Sequence, residues 1–388
     1  MSRVRYVKSV SKIDQIPEEH RAALAKVSER YAFRANDYYL NLIDWDDPDD
    51  PIRQIVIPQE AEMEPWGALD ASNEADNYVA AGCQHKYTDT ALLLVNEVCG
   101  AYCRFCFRKR LFMNDNEEVE FDPKPGLDYI RKNPQISNVL LTGGDPLLLS
   151  TRRLTGIIEE LRKIEHVRII RIGSKMTAFN PFRITEDQEL LNLFDRNSTK
   201  HGRIYVMNHF NHPREMTLEA KTALDMLNKA GVMMVNQTPL LRGINADPEV
   251  LAELINELSW LGVPPYYFFQ CRPTEGNKPY EIPIVESWTV LNQAMTMVSG
   301  LARRARLAMS HESGKVEVPA VTDDIIVCRY HRAKNPSNDG RVMLFRRDDE
   351  AYWLDDLVPF ENQKPSDYQY RVPLAEGSAG IVRPEHNK

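Results

Sequence analysis

The chain has 388 residues, 43% of them hydrophobic and 27% charged, with a formal net charge of −8. This is ordinary globular composition; it excludes collagen-like, low-complexity and disulfide-scaffold chains, and the acidic balance argues against a broad nucleic-acid-binding face. No run approaches ~18 apolar residues and the start lacks an apolar signal core, so a cytoplasmic protein with neither a membrane nor a nucleic-acid partner is expected.

The length allows two to three domains at ~150 residues each. Residues 1–80 are polar and acidic; Ile16 to Arg34 predicts a helix with Pro17 near its start, and the Asp- and Pro-rich stretch that follows reads as a turn-rich linker. From about residue 88 short apolar runs appear, at Ala91–Val98, Val139–Leu141, Val167–Ile172, Arg203–Met207, Val232–Asn236 and Pro265–Phe269. They read as strands buried on both faces. Helical stretches separate them at 151–163, 186–195, 217–230, 248–260 and 285–303. Strands alternating with helices predict an α/β fold with a parallel sheet or barrel. Arg304–Ser310 is a further strand candidate. Ile325–Tyr330 and Arg341–Phe345 flank a turn-rich stretch and predict a hairpin, and the last thirty or so residues read as a polar arm or tail. The pattern divides the chain into a cap and linker (1–84), a core (85–310) and a C-terminal region with hairpin and tail (311–388).

Three of the six cysteines, Cys99, Cys103 and Cys106, crowd into Cys-Gly-Ala-Tyr-Cys-Arg-Phe-Cys, directly after the first core strand. Loops after parallel strands carry chemistry in such folds. Buried free thiols and part of a zinc site are both open readings. Structural zinc wants four closing ligands, usually as two pairs, and no second pair follows. Three close thiolates suit three irons of a [4Fe–4S] cluster whose fourth iron stays open. After the second strand comes Leu141-Thr-Gly143-Gly144-Asp145-Pro, a plain turn when taken alone. Glycines permit close backbone approach, and a carboxylate pairs with an ammonium.

In one order run His85-Lys-Tyr-Thr-Asp, the cysteine motif, the Gly-Gly-Asp motif, Arg171-Ile-Gly-Ser174, Asn208-His-Phe-Asn-His-Pro213, Asn236-Gln-Thr-Pro-Leu-Leu-Arg-Gly243 and Pro265-Tyr-Tyr267. Together they resemble the lysine 2,3-aminomutase family of radical S-adenosylmethionine enzymes, over roughly residues 85–345. The resemblance implies a partial (β/α)6 TIM-like barrel with a helical N-terminal cap and a short β-containing C-terminal region. It implies an isomerase that moves an amino group from C2 to C3 of a small amino-acid substrate. A 5′-deoxyadenosyl radical and a pyridoxal 5′-phosphate aldimine would carry that reaction. An electron donor such as flavodoxin or ferredoxin is implied too.

By the same resemblance, Cys99, Cys103 and Cys106 hold the [4Fe–4S] cluster. Gly143, Gly144, Asp145, His209, Asn211 and Gln237 bind S-adenosylmethionine. Tyr87 and Lys86 grip pyridoxal phosphate, and Arg108 pairs with the substrate α-carboxylate. The family's Gly-rich run ending in a Schiff-base lysine is not intact. Lys315, in His-Glu-Ser-Gly-Lys, is the expected lysine, with Lys334 as the alternative. Lysine-specific members bind the distal ammonium with two aspartates; Arg272 stands at the first, and no aspartate stands near Lys315 at the second. A cation there repels a lysine side chain, so an acidic or neutral amino acid is the expected substrate. Thr90 replaces a phosphate-facing arginine. No cysteine follows Cys328, so zinc is not expected; a homo-oligomer is compatible with the chain, but that subgroup's oligomer is not carried over. Alternative readings are a pyridoxal-independent radical enzyme acting on an amino acid, a lysine 2,3-aminomutase, or a modifier of a protein lysine.

Overall fold

The computed structural model describes residues 4–113, 118–119 and 122–360. Two short strands, β1 (Tyr6–Val7) and β2 (Ala35–Asn36), pair in an N-terminal ribbon. All other strands share one sheet: β3 (Tyr78–Ala80), β4 (Cys83–Tyr87), β5 (Thr90–Asn96), β6 (Asn138–Gly143), β7 (Ile169–Ser174), β8 (Arg203–Asn208), β9 (Met233–Leu240), β10 (Pro265–Gln270), β11 (Arg306–His311), β12 (Gly314–Val321), β13 (Ile325–Ala333) and β14 (Val342–Arg346). They lie side by side in sequence order. Every neighbouring pair from β5 to β11 is parallel, and the pairs at both flanks are antiparallel. The fold is therefore mixed α/β around a large, mostly parallel sheet.

The crossovers follow from local chemistry. The helix Thr151–Arg162 buries Leu154, Ile157, Ile158 and Leu161, the spacing of a single face, and Ser150 caps its first turn by accepting from Arg153 N. Asp187, Thr217 and Asp247 cap the helices Gln188–Asn197, Leu218–Lys229 and Pro248–Trp260 in the same manner. Their apolar faces pack with the buried positions of β5 to β9 in one core, and Leu251, Ala252 and Ile255 of the last helix join a second core with β10 to β13. Among the described residues no helix is long and apolar enough to cross a membrane.

The sheet bends until its flanks approach each other. Lys86 Nζ, on β4, donates to His311 O on β11 at 2.6 Å. Ser72 Oγ donates to Ser310 O at 2.7 Å, and Arg332 on β13 pairs with Asp89 beside β5. The N-terminal cap pins the cysteine loop in turn. Arg104 is buried between Glu62, at 2.7 Å, and the carbonyls of Tyr31 and Ala32. Arg34 Nε reaches Cys99 O at 2.9 Å, and Asn36 Nδ2 reaches Gly100 O at 3.2 Å.

Each expected core strand is present, as is the hairpin, formed by β13 and β14. Arg306–His311 is a seventh parallel strand rather than an optional one. The strand β12 was not expected from the sequence. It carries Lys315, Glu317 and Pro319, so it shows no apolar run, and a register irregularity between Glu317 and Ala320 accommodates the proline. The helix in the cap spans Glu18–Arg30 with Pro17 at its N-cap. The expected tail lies, from residue 361, outside the described residues.

Candidate active site

Inside the curl lies a cavity of about 410 Å³, within the range of small-molecule and cofactor sites. It has two chemically distinct regions. The first is the cysteine loop that follows β5. Cys99, Cys103 and Cys106 all line the cavity as free thiols, and Cys106 N donates to Cys103 O at 3.1 Å, closing a turn. Burial pushes all three thiols up. For Cys103, the Lys175 ammonium works against that shift. Among the described residues no three His, Cys, Asp or Glu side chains converge on one ion. A cluster asks for something else, one thiolate on each of several irons.

Gly143, Gly144 and Asp145 line the same region. A Cβ on Gly143 (φ +111°) would meet Asn96 O at 2.3 Å, and one on Gly144 would meet Val98 N and O at 2.6 Å. The backbone these glycines let approach is that of the chain leaving β5, so they lock the cysteine loop onto β6. Gly144→Ala is therefore expected to destabilise the protein by about 1–3 kcal/mol even without any ligand. Gly156→Ala, on an open helix face with nothing within 4 Å, should instead stabilise it slightly. Thermal melts of both variants check the contrast. Asp145 accepts from Lys175 N at 2.8 Å, Leu147 N at 3.0 Å and Ser174 Oγ at 3.0 Å. Burial nevertheless raises its carboxyl to about 6.

His209 and Gln237 line the cavity. His209 Nε2 is buried with no hydrogen-bond partner, and burial, then Lys175, keeps the imidazole neutral. An orphaned buried nitrogen on a cavity wall leaves a donor or acceptor open to whatever enters the cavity. Asn211 sits behind the wall, where its Oδ1 accepts from Lys175 Nζ at 2.8 Å, and its Nδ2 is likewise buried without a partner. Lys175 itself was not singled out from the sequence. It lines the cavity and is held by Glu215 at 2.5 Å and His209 O at 2.7 Å.

The second region is cationic. Lys86, Tyr87, Arg108, Arg272 and Lys315 all line it, whereas Lys334 does not. Lys315 Nζ lies 4.0 Å from the Tyr267 ring centroid and has no hydrogen-bond acceptor among the described residues. Burial, then Arg171, Arg272, Arg332 and Lys86, push it down to about 7. Arg272 lies 3.7 Å over the Phe107 ring. Arg108 Nε and Nη2 grip Glu74 at 2.9 and 3.1 Å, and its Nη1 donates to Thr142 Oγ1 at 2.9 Å. Two of its five N–H donors remain for a ligand.

Glu74 is the main residue that sequence reasoning missed. It also takes Arg110 at 3.0 Å and Arg272 at 3.5 Å. Burial alone would raise its carboxyl, but Arg108, Arg272 and Arg110 together hold it well below the usual range. Nothing in its polar, acidic neighbourhood marked it; only the fold brings it to three arginines. Counted over the described lining residues, seven are Lys or Arg and two are carboxylates. That excess of cationic groups makes the electrostatic environment favourable to anions.

No protein-family profile matches the chain. Over 357 residues it is 56% identical to an Aquifex aeolicus (strain VF5) protein described as "Putative L-lysine 2,3-aminomutase", covering 92% of this chain and 96% of that one. It is 37% identical over 304 residues to the L-lysine 2,3-aminomutase of Fusobacterium nucleatum subsp. nucleatum, covering 78% and 70% of the two. To the glutamate 2,3-aminomutase of Clostridioides difficile (strain 630) it is 34% identical over 303 residues, again 78% and 70%. Relatives of this extent make the chain an isomerase of the radical S-adenosylmethionine class, an intramolecular aminomutase. Within that class, it belongs to the lysine 2,3-aminomutase family.

Proposed function

We propose that the protein is an amino-acid 2,3-aminomutase acting on an acidic or neutral substrate, with a [4Fe–4S] cluster, S-adenosylmethionine and pyridoxal phosphate as cofactors. The observation that carries this reading is one cavity lined both by three free thiols and by Lys315 among Arg171, Arg272 and Arg332. In this reading the curled sheet is the partial (β/α)6 barrel, residues 1–84 cap it, 85–310 form it, and 311–388 contribute its closing strands.

The residues present fit the cofactors. Cys99, Cys103 and Cys106 would hold three irons; the Gly143–Asp145 loop, His209 and Gln237 would hold S-adenosylmethionine, with Asn211 acting from behind through Lys175. Lys315, whose amine is free and near neutral, would hold pyridoxal phosphate, with Lys86 and Tyr87 beside it. When bound, these groups supply a hydrogen-abstracting carbon radical and a conjugated ring that stabilises an unpaired electron. The chain's own contribution is placement. Glu74 fixes the Arg108 guanidinium so that its remaining N–H donors face the cavity, where they suit a substrate α-carboxylate. Arg272, which shares Glu74 with Arg108, offers a second cation that favours a side-chain carboxylate and opposes an ammonium. Phe107, Tyr267 and Phe269 add apolar surface to the wall.

The test is anaerobic turnover of reconstituted enzyme on a panel of amino acids, with chromatographic separation of α and β isomers. Conversion of glutamate or a neutral amino acid, with lysine slower by at least about tenfold, is expected. Arg272→Gln should raise KM for an acidic substrate by about 10–100-fold, the worth of one charge-assisted contact. Lysine as the preferred substrate of the unaltered enzyme would overturn the substrate assignment.

A further inference from the structure

The antiparallel register places Lys315 on β12 directly opposite Arg332 on β13. Residues so paired project from the same face with Cβ atoms about 4.5–5.5 Å apart, and like charges there are destabilising. Both side chains line the cavity. A fold keeps such a pair only where something offsets it. Asp89 does so in part, from outside the sheet face, through its ion pair with Arg332. The Arg332 guanidinium reaches across the curl: Nη1 lies 3.5 Å from Thr90 Oγ1 and Cζ 4.9 Å from the Tyr87 ring centroid. Arg171, on β7, also lines this part of the cavity, and its Nε donates to the neutral Asn138 Oδ1 at 2.8 Å. Lys315, Arg332 and Arg171 thus surround one volume with Asp89 as the nearby carboxylate.

We propose that Arg332, supported by Arg171, is the phosphate-holding residue for the aldehyde that Lys315 captures. The assignment rests on the cofactor reading above and adds to it that the grip comes from the C-terminal hairpin, beside the neutral Thr90. In capture, Lys315 Nζ bonds to the aldehyde carbon and the carbonyl oxygen leaves as water. The arginines take no part in that bond. They would hold the phosphate dianion, to whose oxygens a guanidinium offers paired N–H donors.

The experiment titrates anaerobically prepared full-length protein with pyridoxal phosphate and, separately, with pyridoxal, which lacks the phosphate. Binding is read by absorbance, and the bound aldehyde is then fixed with borohydride and located by peptide mass. Unaltered protein should prefer pyridoxal phosphate and be labelled at Lys315. Arg332→Gln should weaken pyridoxal phosphate about 10–100-fold while pyridoxal changes less than about twofold, so the preference collapses. Retention of the full preference in Arg332→Gln would overturn the assignment. Labelling of Lys315 by neither aldehyde in unaltered protein would overturn the cofactor reading itself. If Arg332→Gln does not fold, Arg332→Lys carries the test: it keeps the charge but not the fork, and the preference must fall by at least about threefold.

Discussion

Replacement of Lys315 by alanine is expected to abolish capture of pyridoxal phosphate and to lower turnover by roughly three orders of magnitude, about 4 kcal/mol of barrier. The iron–sulfur chromophore of the reconstituted protein should be unchanged, because the thiols lie on the loop after β5 and Lys315 on β12. A pH profile sharpens the expectation. Burial and the arginines around Lys315 bring its amine down to about 7 from an ordinary 10.5. Below pH 7 the amine is protonated and cannot attack a carbonyl. The capture rate should therefore rise about tenfold per unit up to pH 7 and level off near pH 8. Stability moves in the same direction. Between about 7 and 10.5 the unfolded chain binds the proton and the folded chain does not, so this lysine makes folding more favourable as pH rises through that window. A capture rate independent of pH from 6 to 8 would show that the amine does not titrate there. Full activity in Lys315→Ala would remove it from the mechanism.

Glu74→Gln should produce the largest loss of stability, about 3–5 kcal/mol, because it leaves Arg108, Arg110 and Arg272 together without their shared carboxylate. Against a total of about 5–15 kcal/mol, that is severe. Chemical unfolding at pH 7 measures it. The pH dependence distinguishes loss of charge from loss of shape. The folded carboxyl of Glu74 is held below its unfolded value of 4.5, so its contribution is full above that pH and is lost as pH falls further. The Gln variant should lack this acid-side slope. Equal unfolding midpoints at pH 7 would show that Glu74 does not neutralise the arginines. Turnover should also fall, since the Arg108 guanidinium loses the partner that sets its plane.

Much of the core could be read from the chain. Strands such as Thr90–Asn96 are buried on both faces and announce themselves as apolar runs, and helices such as Pro248–Trp260 carry a capping Asp and a single apolar face. The motifs stand out because their residues are close in the chain, three apart for Cys103 and Cys106 and adjacent for Gly144 and Asp145, and the fold brings these residues to one cavity. What could not be read has a common cause. Lys315, Glu317 and Pro319 conceal β12: Lys315 lines the cavity and Glu317 pairs with Arg306 and Arg329, while Val316 and Val318 pack into the core. Glu74 and Arg332 stand in stretches without a motif and Lys175 directly follows Arg171–Ser174; all three acquire meaning only from partners that the fold brings close. The two glycines of the Gly-Gly-Asp motif were read as room for a ligand; their immediate neighbour is the backbone of Asn96 and Val98.

The closure of the sheet has a temporal consequence. The contacts that seal the cavity join residues 238, 225 and 243 positions apart: Ser72 with Ser310, Lys86 with His311, and Asp89 with Arg332. Contacts this distant carry a high loop-closure cost and form late. During synthesis the three thiols emerge long before β13 exists, so for most of the chain's elongation they stand in an open trough. On the cofactor reading proposed above, metal delivery thus has a broad interval in which to act, and oxidation has the same one. Once the hairpin docks, both are restricted to whatever passes through the mouth of the finished cavity.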